Sequence, residues 1–145
     1  MTAPQSLPAA THSYLARAAL SLHEAITADD SATRYACAHV AALRAAAALL
    51  SARAQPAAPR RRSQRNAWVL LSEIAPELAE WARFFAAGAA KRAAAEAGSM
   101  RAVTVREADD LVRDADHFLA VIETTLGLMP HPGPLVERTG RAGVA

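Results

Sequence analysis

Ala32-Thr33-Arg34-Tyr35-Ala36-Cys37-Ala38-His39-Val40-Ala41-Ala42-Leu43-Arg44-Ala45-Ala46-Ala47-Ala48-Leu49-Leu50 decides the fold. Ala36, Val40, Leu43, Ala47 and Leu50 recur four, three, four and three positions apart. That is the period of one helical face packed as a bundle seam. Alanine is the strongest helix former, because it loses no side-chain entropy and crowds nothing. The spacing therefore predicts a helix from about Ala32 to Ala54.

Upstream, Asp29-Asp30-Ser31 supplies a turn and an N-cap, since short oxygen side chains accept the free N–H groups of a new helix. Before it the pattern predicts a helix from about Thr11 to Thr27, with Leu15, Ala18, Leu22, Ala25 and Ile26 inward. Downstream, Gln55-Pro56-Ala57-Ala58-Pro59-Arg60-Arg61-Arg62 breaks the period, and Ser63 is placed to cap the next helix. Leu71, Ile74, Leu78, Trp81, Phe85 and Ala89 then resume it across Pro76. That predicts one helix kinked at the proline or two nearly collinear pieces, ending near Gly98-Ser99. Thr104 and Glu107 have capping-box spacing. They open a last helix to about Leu126, with Ala108, Leu111, Ala115, Phe118, Ile122 and Leu126 inward. Gly127-Leu128-Met129-Pro130-His131-Pro132-Gly133-Pro134 reads as a helix stop followed by a tail.

No run of alternating β-branched residues suggests a strand. The expected fold is all-α: an antiparallel up-and-down bundle of four to five helices over residues 11–126. A disordered N-terminus (1–10) and a flexible Pro/Gly-rich tail (127–145) flank it.

The 145 residues suit one domain, and 52% of them are hydrophobic, enough for a core. Aromatic residues make up only 5%, while alanine alone supplies about a quarter. The formal net charge is +2, from 16 basic against 14 acidic residues, with a pI near 9.2. A protein that coats DNA usually carries a larger excess. Cys37 is the only cysteine, which excludes an internal disulfide and a cysteine-rich metal site. The start lacks a basic segment followed by an apolar run, and the most apolar stretch is read as Phe84 to Ala90, too short to span a bilayer. A cytoplasmic protein with no cofactor, no metal and no membrane association is expected.

Arg34 and His39, five apart, are the sharpest chemical pair. A guanidinium can stabilise charge on a phosphate while an imidazole moves protons, so such a pair can cleave RNA without metal. At 100° per residue the two lie roughly 140° apart around the helix. A half-buried histidine and a solvated arginine is the plainer reading. Arg60, Arg61, Arg62 and Arg65 form a second cluster, in a loop feeding a helix start, where free N–H groups also favour anions. These four are the candidate phosphate or nucleic-acid contacts; the alternative is a solvated basic loop. Trp81 lies on the seam, whereas Trp68 is expected in the core or half exposed near the basic loop. Asp109, Asp110, Asp114 and Asp116, with Glu107 and Glu123, read as a solvated outer face of the last helix. Arg113 and His117 read as an exposed pair on that face.

The segments 34–44, 65–71 (Arg65-Asn66-Ala67-Trp68-Val69-Leu70-Leu71), 75–81 (Ala75-Pro76-Glu77-Leu78-Ala79-Glu80-Trp81) and 106–111 (Arg106-Glu107-Ala108-Asp109-Asp110-Leu111) together resemble a small stand-alone actinobacterial branch of the HEPN superfamily. The likeness covers roughly residues 11–126 and rests on the ordered set of segments. It implies a four-to-five-helix bundle, often dimeric, linked to nucleotides and RNA. Many HEPN members are metal-independent ribonucleases whose Arg and His come from both protomers, and only Arg34 and His39 map onto that pattern. In those nucleases the motif sits near the start of a late helix, and a polar residue commonly follows the arginine; here it opens the second helix and Tyr35 follows. The expectation is therefore a non-catalytic HEPN-like module that binds a nucleotide, RNA or a nucleic-acid-processing partner through the loop arginines. A homodimeric ribonuclease using Arg34 and His39, and a protein–protein scaffold with no nucleic-acid role, are the alternatives.

Overall fold

Asp30 begins the central helix: its carboxylate accepts the Thr33 N–H at 2.8 Å, and the helix runs Ser31–Arg53. In the computed structural model, which describes residues 6–53, 66–99 and 101–132, this helix (α2) is preceded by α1, Ala9–Thr27. After it come α3 (Ala67–Ile74), a 3-10 turn at Pro76–Leu78, α4 (Ala79–Ala87), α5 (Ala89–Glu96) and α6 (Val105–Thr125). No strand occurs among the described residues, and α2 touches α1, α3, α5 and α6. The fold is an all-α bundle whose third segment is broken at Pro76, as expected, and again at Gly88, which was not.

Most of the described ends form where the sequence placed them. Thr104 accepts the Glu107 N–H at 3.1 Å and the Glu107 carboxylate accepts the Thr104 N–H at 3.0 Å, so the capping box is complete. Gly98 (φ +87°) and Gly127 (φ +81°) close α5 and α6 in the left-handed conformation that glycine adopts without steric cost. In both, the residue after glycine donates back to a carbonyl five positions earlier, Ser99 to Ala94 and Leu128 to Glu123. The helix after the arginine loop is capped by Asn66, whose side chain accepts the Trp68 N–H, and not by Ser63 as expected; Ser63 lies outside the described residues.

The seam of α2 differs from expectation. Its buried residues include Ala32, Tyr35, Ala36, His39, Ala42, Ala46 and Leu49, with Ala38, Ala41, Ala45 and Ala48 beside them. Val40, Leu43, Ala47 and Leu50 flank this band. Helices surround α2 on more than one side, so its narrow alanine surfaces take the closest approaches and its larger residues fill the margins. Alanine is too small to fill the centre, and Trp68, Trp81, Phe85 and Phe118 do so. Trp68 stacks on Phe85 (5.1 Å between centroids), and Phe118 sits 5.1 Å from Phe85 and 5.3 Å from Trp81. Trp68 is thus a core residue, 3% exposed. The most apolar stretch is also α2 rather than Phe84 to Ala90: by length and composition it could cross a membrane, yet it forms the centre of the bundle.

Candidate functional site

Arg34 sits one turn into α2 and reaches sideways across three elements. Its Nε donates to the Ala25 carbonyl (3.2 Å) and one Nη to the Ala28 carbonyl (2.9 Å), both at the end of α1. The other Nη pairs with Asp109 of α6 at 2.7 Å. A cation at a helix C-terminus neutralises the negative end of its dipole and adds a donor to its terminal carbonyls, of which Ala25 also accepts the Ala28 N–H. Arg34 is therefore a clasp holding α1, α2 and α6 together, and the expectation of a solvated side chain is corrected. Asp109, read as solvated, is its counter-ion.

His39 lies 1% exposed, deeper than the half-buried position expected. Its Nε2 is 2.9 Å from the Phe85 carbonyl oxygen. A carbonyl only accepts, so Nε2 carries the proton and Nδ1 the lone pair. Nδ1 is buried without a hydrogen-bond partner among the described residues. Burial pushes the His39 pKa below its ordinary 6.5, so the ring is neutral at pH 7. Trp68 and Phe85 stand edge-on to it, each with centroids 6.0 Å away. Arg34 and His39 thus engage different neighbours, as their angular separation on the helix implied.

A cleft of about 270 Å³ opens at the α4–α5 break, lined by His39 together with Tyr35, Phe84, Phe85, Lys91 and Leu111. Its walls are mainly apolar, and Phe84 at its lip is 48% exposed. Gly88 keeps the break close to α2, since a Cβ there would come 2.8 Å from the Tyr35 hydroxyl. Lys91 pairs with Glu107, which pulls that carboxyl down to about 2 and raises the ammonium pKa.

Arg60, Arg61, Arg62 and Arg65 lie outside the described residues; in sequence they immediately precede Asn66 and α3. Arg113 pairs with Asp110, and His117 stands edge-on to Trp81 at 5.2 Å, so these two serve separate contacts. Asp116, expected on the outer face, is only 4% exposed. It receives His131, whose ring lies 2.8 Å from Asp116 and 2.6 Å from Glu123. Sequence reasoning missed this trio. Its one trace is that Asp116 and Glu123, seven apart, share a helix face over which Gly127 turns the chain back. Both ring nitrogens are engaged by carboxylates, and no three metal-ligating side chains among the described residues gather as a metal site.

A family model described as SAV_6107-like HEPN matches residues 25–123. No curated protein and no solved structure matches the chain.

Proposed function

The chain belongs to the SAV_6107-like HEPN family, and from that premise we propose that it is a non-catalytic helical module that binds RNA through Arg60, Arg61, Arg62 and Arg65. The observation that carries the non-catalytic part is the state of the Arg34 and His39 pair. The guanidinium is committed to Ala25, Ala28 and Asp109, and the imidazole, only 1% exposed at the back of the cleft it helps line, has Nε2 bound to the Phe85 carbonyl and its basic Nδ1 buried. A metal-free nuclease needs the first free to meet a phosphate and the second able to exchange protons with substrate. The binding part is supported by charge placement: four arginines within six positions lead directly into the Asn66-capped start of α3. Guanidiniums in such a run engage phosphate oxygens in bidentate fashion.

Fluorescence polarisation of a labelled single-stranded RNA, titrated with full-length protein between 50 and 200 mM salt, tests this directly. The wild type binds with a salt-dependent affinity. The variant carrying Ala at all four arginines binds more weakly, its salt slope shallower by about 0.7 for each phosphate no longer neutralised. Equal binding by the variant, or none by the wild type, removes the RNA-binding reading. The same RNA incubated with protein in EDTA stays intact. Cleavage that disappears in His39→Ala would instead establish the ribonuclease.

A further inference from the structure

The chain after α6 does not simply leave the bundle. Gly127 turns it, Leu128 N–H donates to the Glu123 carbonyl at 2.9 Å, and His131 arrives back over the helix. The His131 backbone N–H donates to Glu123 Oε1 at 3.1 Å, and its Nδ1 lies 2.6 Å from the same oxygen. Its Nε2 lies 2.8 Å from Asp116 Oδ1. These side chains are shielded: 21% exposed for His131, 6% for Asp116 and 18% for Glu123.

The arrangement demands two N–H donors from one ring. A neutral imidazole carries only one, so it can satisfy one carboxylate and must present a lone pair to the other. The imidazolium satisfies both. Among the described residues, the charged groups acting on the ring are those same two carboxylates, both from α6. Burial opposes charge on the ring, but Glu123 and Asp116 outweigh it and the pKa rises above 6.5.

We propose that His131 is the bolt of a pH-sensitive latch, fastening residues 127–132 to α6 as an imidazolium and releasing them when it loses its proton. Because the folded pKa is raised, the latch is fully closed below the unfolded value of about 6.5 and opens as pH climbs through the folded value. Beside the closed segment lies an open cleft of about 300 Å³ lined by His117, Ala120, Val121, Thr124 and Thr125, to which Pro130 adds one wall. Opening lifts Pro130 from that cleft and bares the Asp116 carboxylate. The latch thus sets, by pH alone, whether residues 127–132 lie along the flank of α6 or leave from its end.

Amide hydrogen exchange read by NMR on the full chain between pH 6 and 9, corrected for intrinsic rates, tests it together with the His131 titration curve. His131 is expected to titrate above 6.5, with protection at the His131 amide falling roughly tenfold per pH unit through the transition. His131→Gln loses that protection at every pH while core amides of α2 and α6 keep theirs. Asp116→Asn moves the His131 midpoint down. A midpoint at or below 6.5, or protection that ignores pH in the wild type, overturns the latch. Core amides that loosen in His131→Gln would overturn it too, by making the ring a brace of the bundle.

Discussion

Arg34 spends its guanidinium on three acceptors at once, two carbonyls at the end of α1 and one carboxylate on α6. Its side chain is 25% exposed, so water replaces those partners poorly when it is removed. Arg34→Ala should therefore cost ~1.5–3 kcal/mol, the range for hydrogen bonds to charged groups. Asp109→Ala deletes only one of the three contacts and leaves its partner with two; it should cost on the order of 1 kcal/mol. Urea unfolding of both variants checks the ranking, and an Asp109 loss equal to the Arg34 loss would refute the clasp. The helical wheel already showed that Arg34 and His39 diverge. It could not name the partners, because Asp109 lies 75 positions away and only tertiary packing brings it near. His131 was hidden for the same reason. Its carboxylates are spaced for a shared face, but nothing in a Pro-rich segment announces that it folds back.

At the scale of the helices, boundaries governed by local chemistry were legible: the Asp30 cap, the Thr104–Glu107 box, the Pro76 break and the glycine stops at 98 and 127. The seam of α2 and the break at Gly88 were not, because both depend on what packs from outside. Leu and Val outweigh alanine in any hydrophobic count, so the stripe read from sequence was displaced from the alanine surface that neighbouring helices approach most closely. Gly88 has φ −87°, a conformation open to any residue, so it is kept small by the Tyr35 hydroxyl rather than by its backbone. The effect of filling the position should therefore change sign with its neighbour. Gly88→Ala gains up to about 1 kcal/mol of helix propensity, but forces a buried phenol aside at ~1–3 kcal/mol, and should destabilise the wild type. In a Tyr35→Phe background the obstructing oxygen is gone, and the same substitution should stabilise. Thermal melts of the four proteins close the cycle; a Gly88→Ala effect of one sign in both backgrounds would show that the hydroxyl does not set the break.

For the whole molecule, two histidines pull the pH dependence of folding in opposite directions. His39 is buried neutral, with its pKa lowered chiefly by burial. Between that value and 6.5 the unfolded chain binds a proton that the folded chain refuses, so stability falls on acidification below 6.5. His131 is held charged by Glu123 and Asp116, its pKa raised. Between 6.5 and that value the folded chain keeps a proton that the unfolded chain has lost, so stability falls on alkalinisation above 6.5. Glu107, drawn down to about 2 by Lys91, contributes above its ordinary 4.5 and adds an acid loss only below it. The expected profile is a dome with its crest near pH 6.5. His39→Gln, which can still donate to the Phe85 carbonyl, should flatten the limb between pH 5 and 6.5 and leave the alkaline limb alone. His131→Gln should do the reverse. Urea midpoints measured at half-unit pH steps distinguish the limbs, and a wild-type stability that climbs steadily from pH 6 to 8.5 would mean that the imidazolium of His131 is not what fastens the chain to α6.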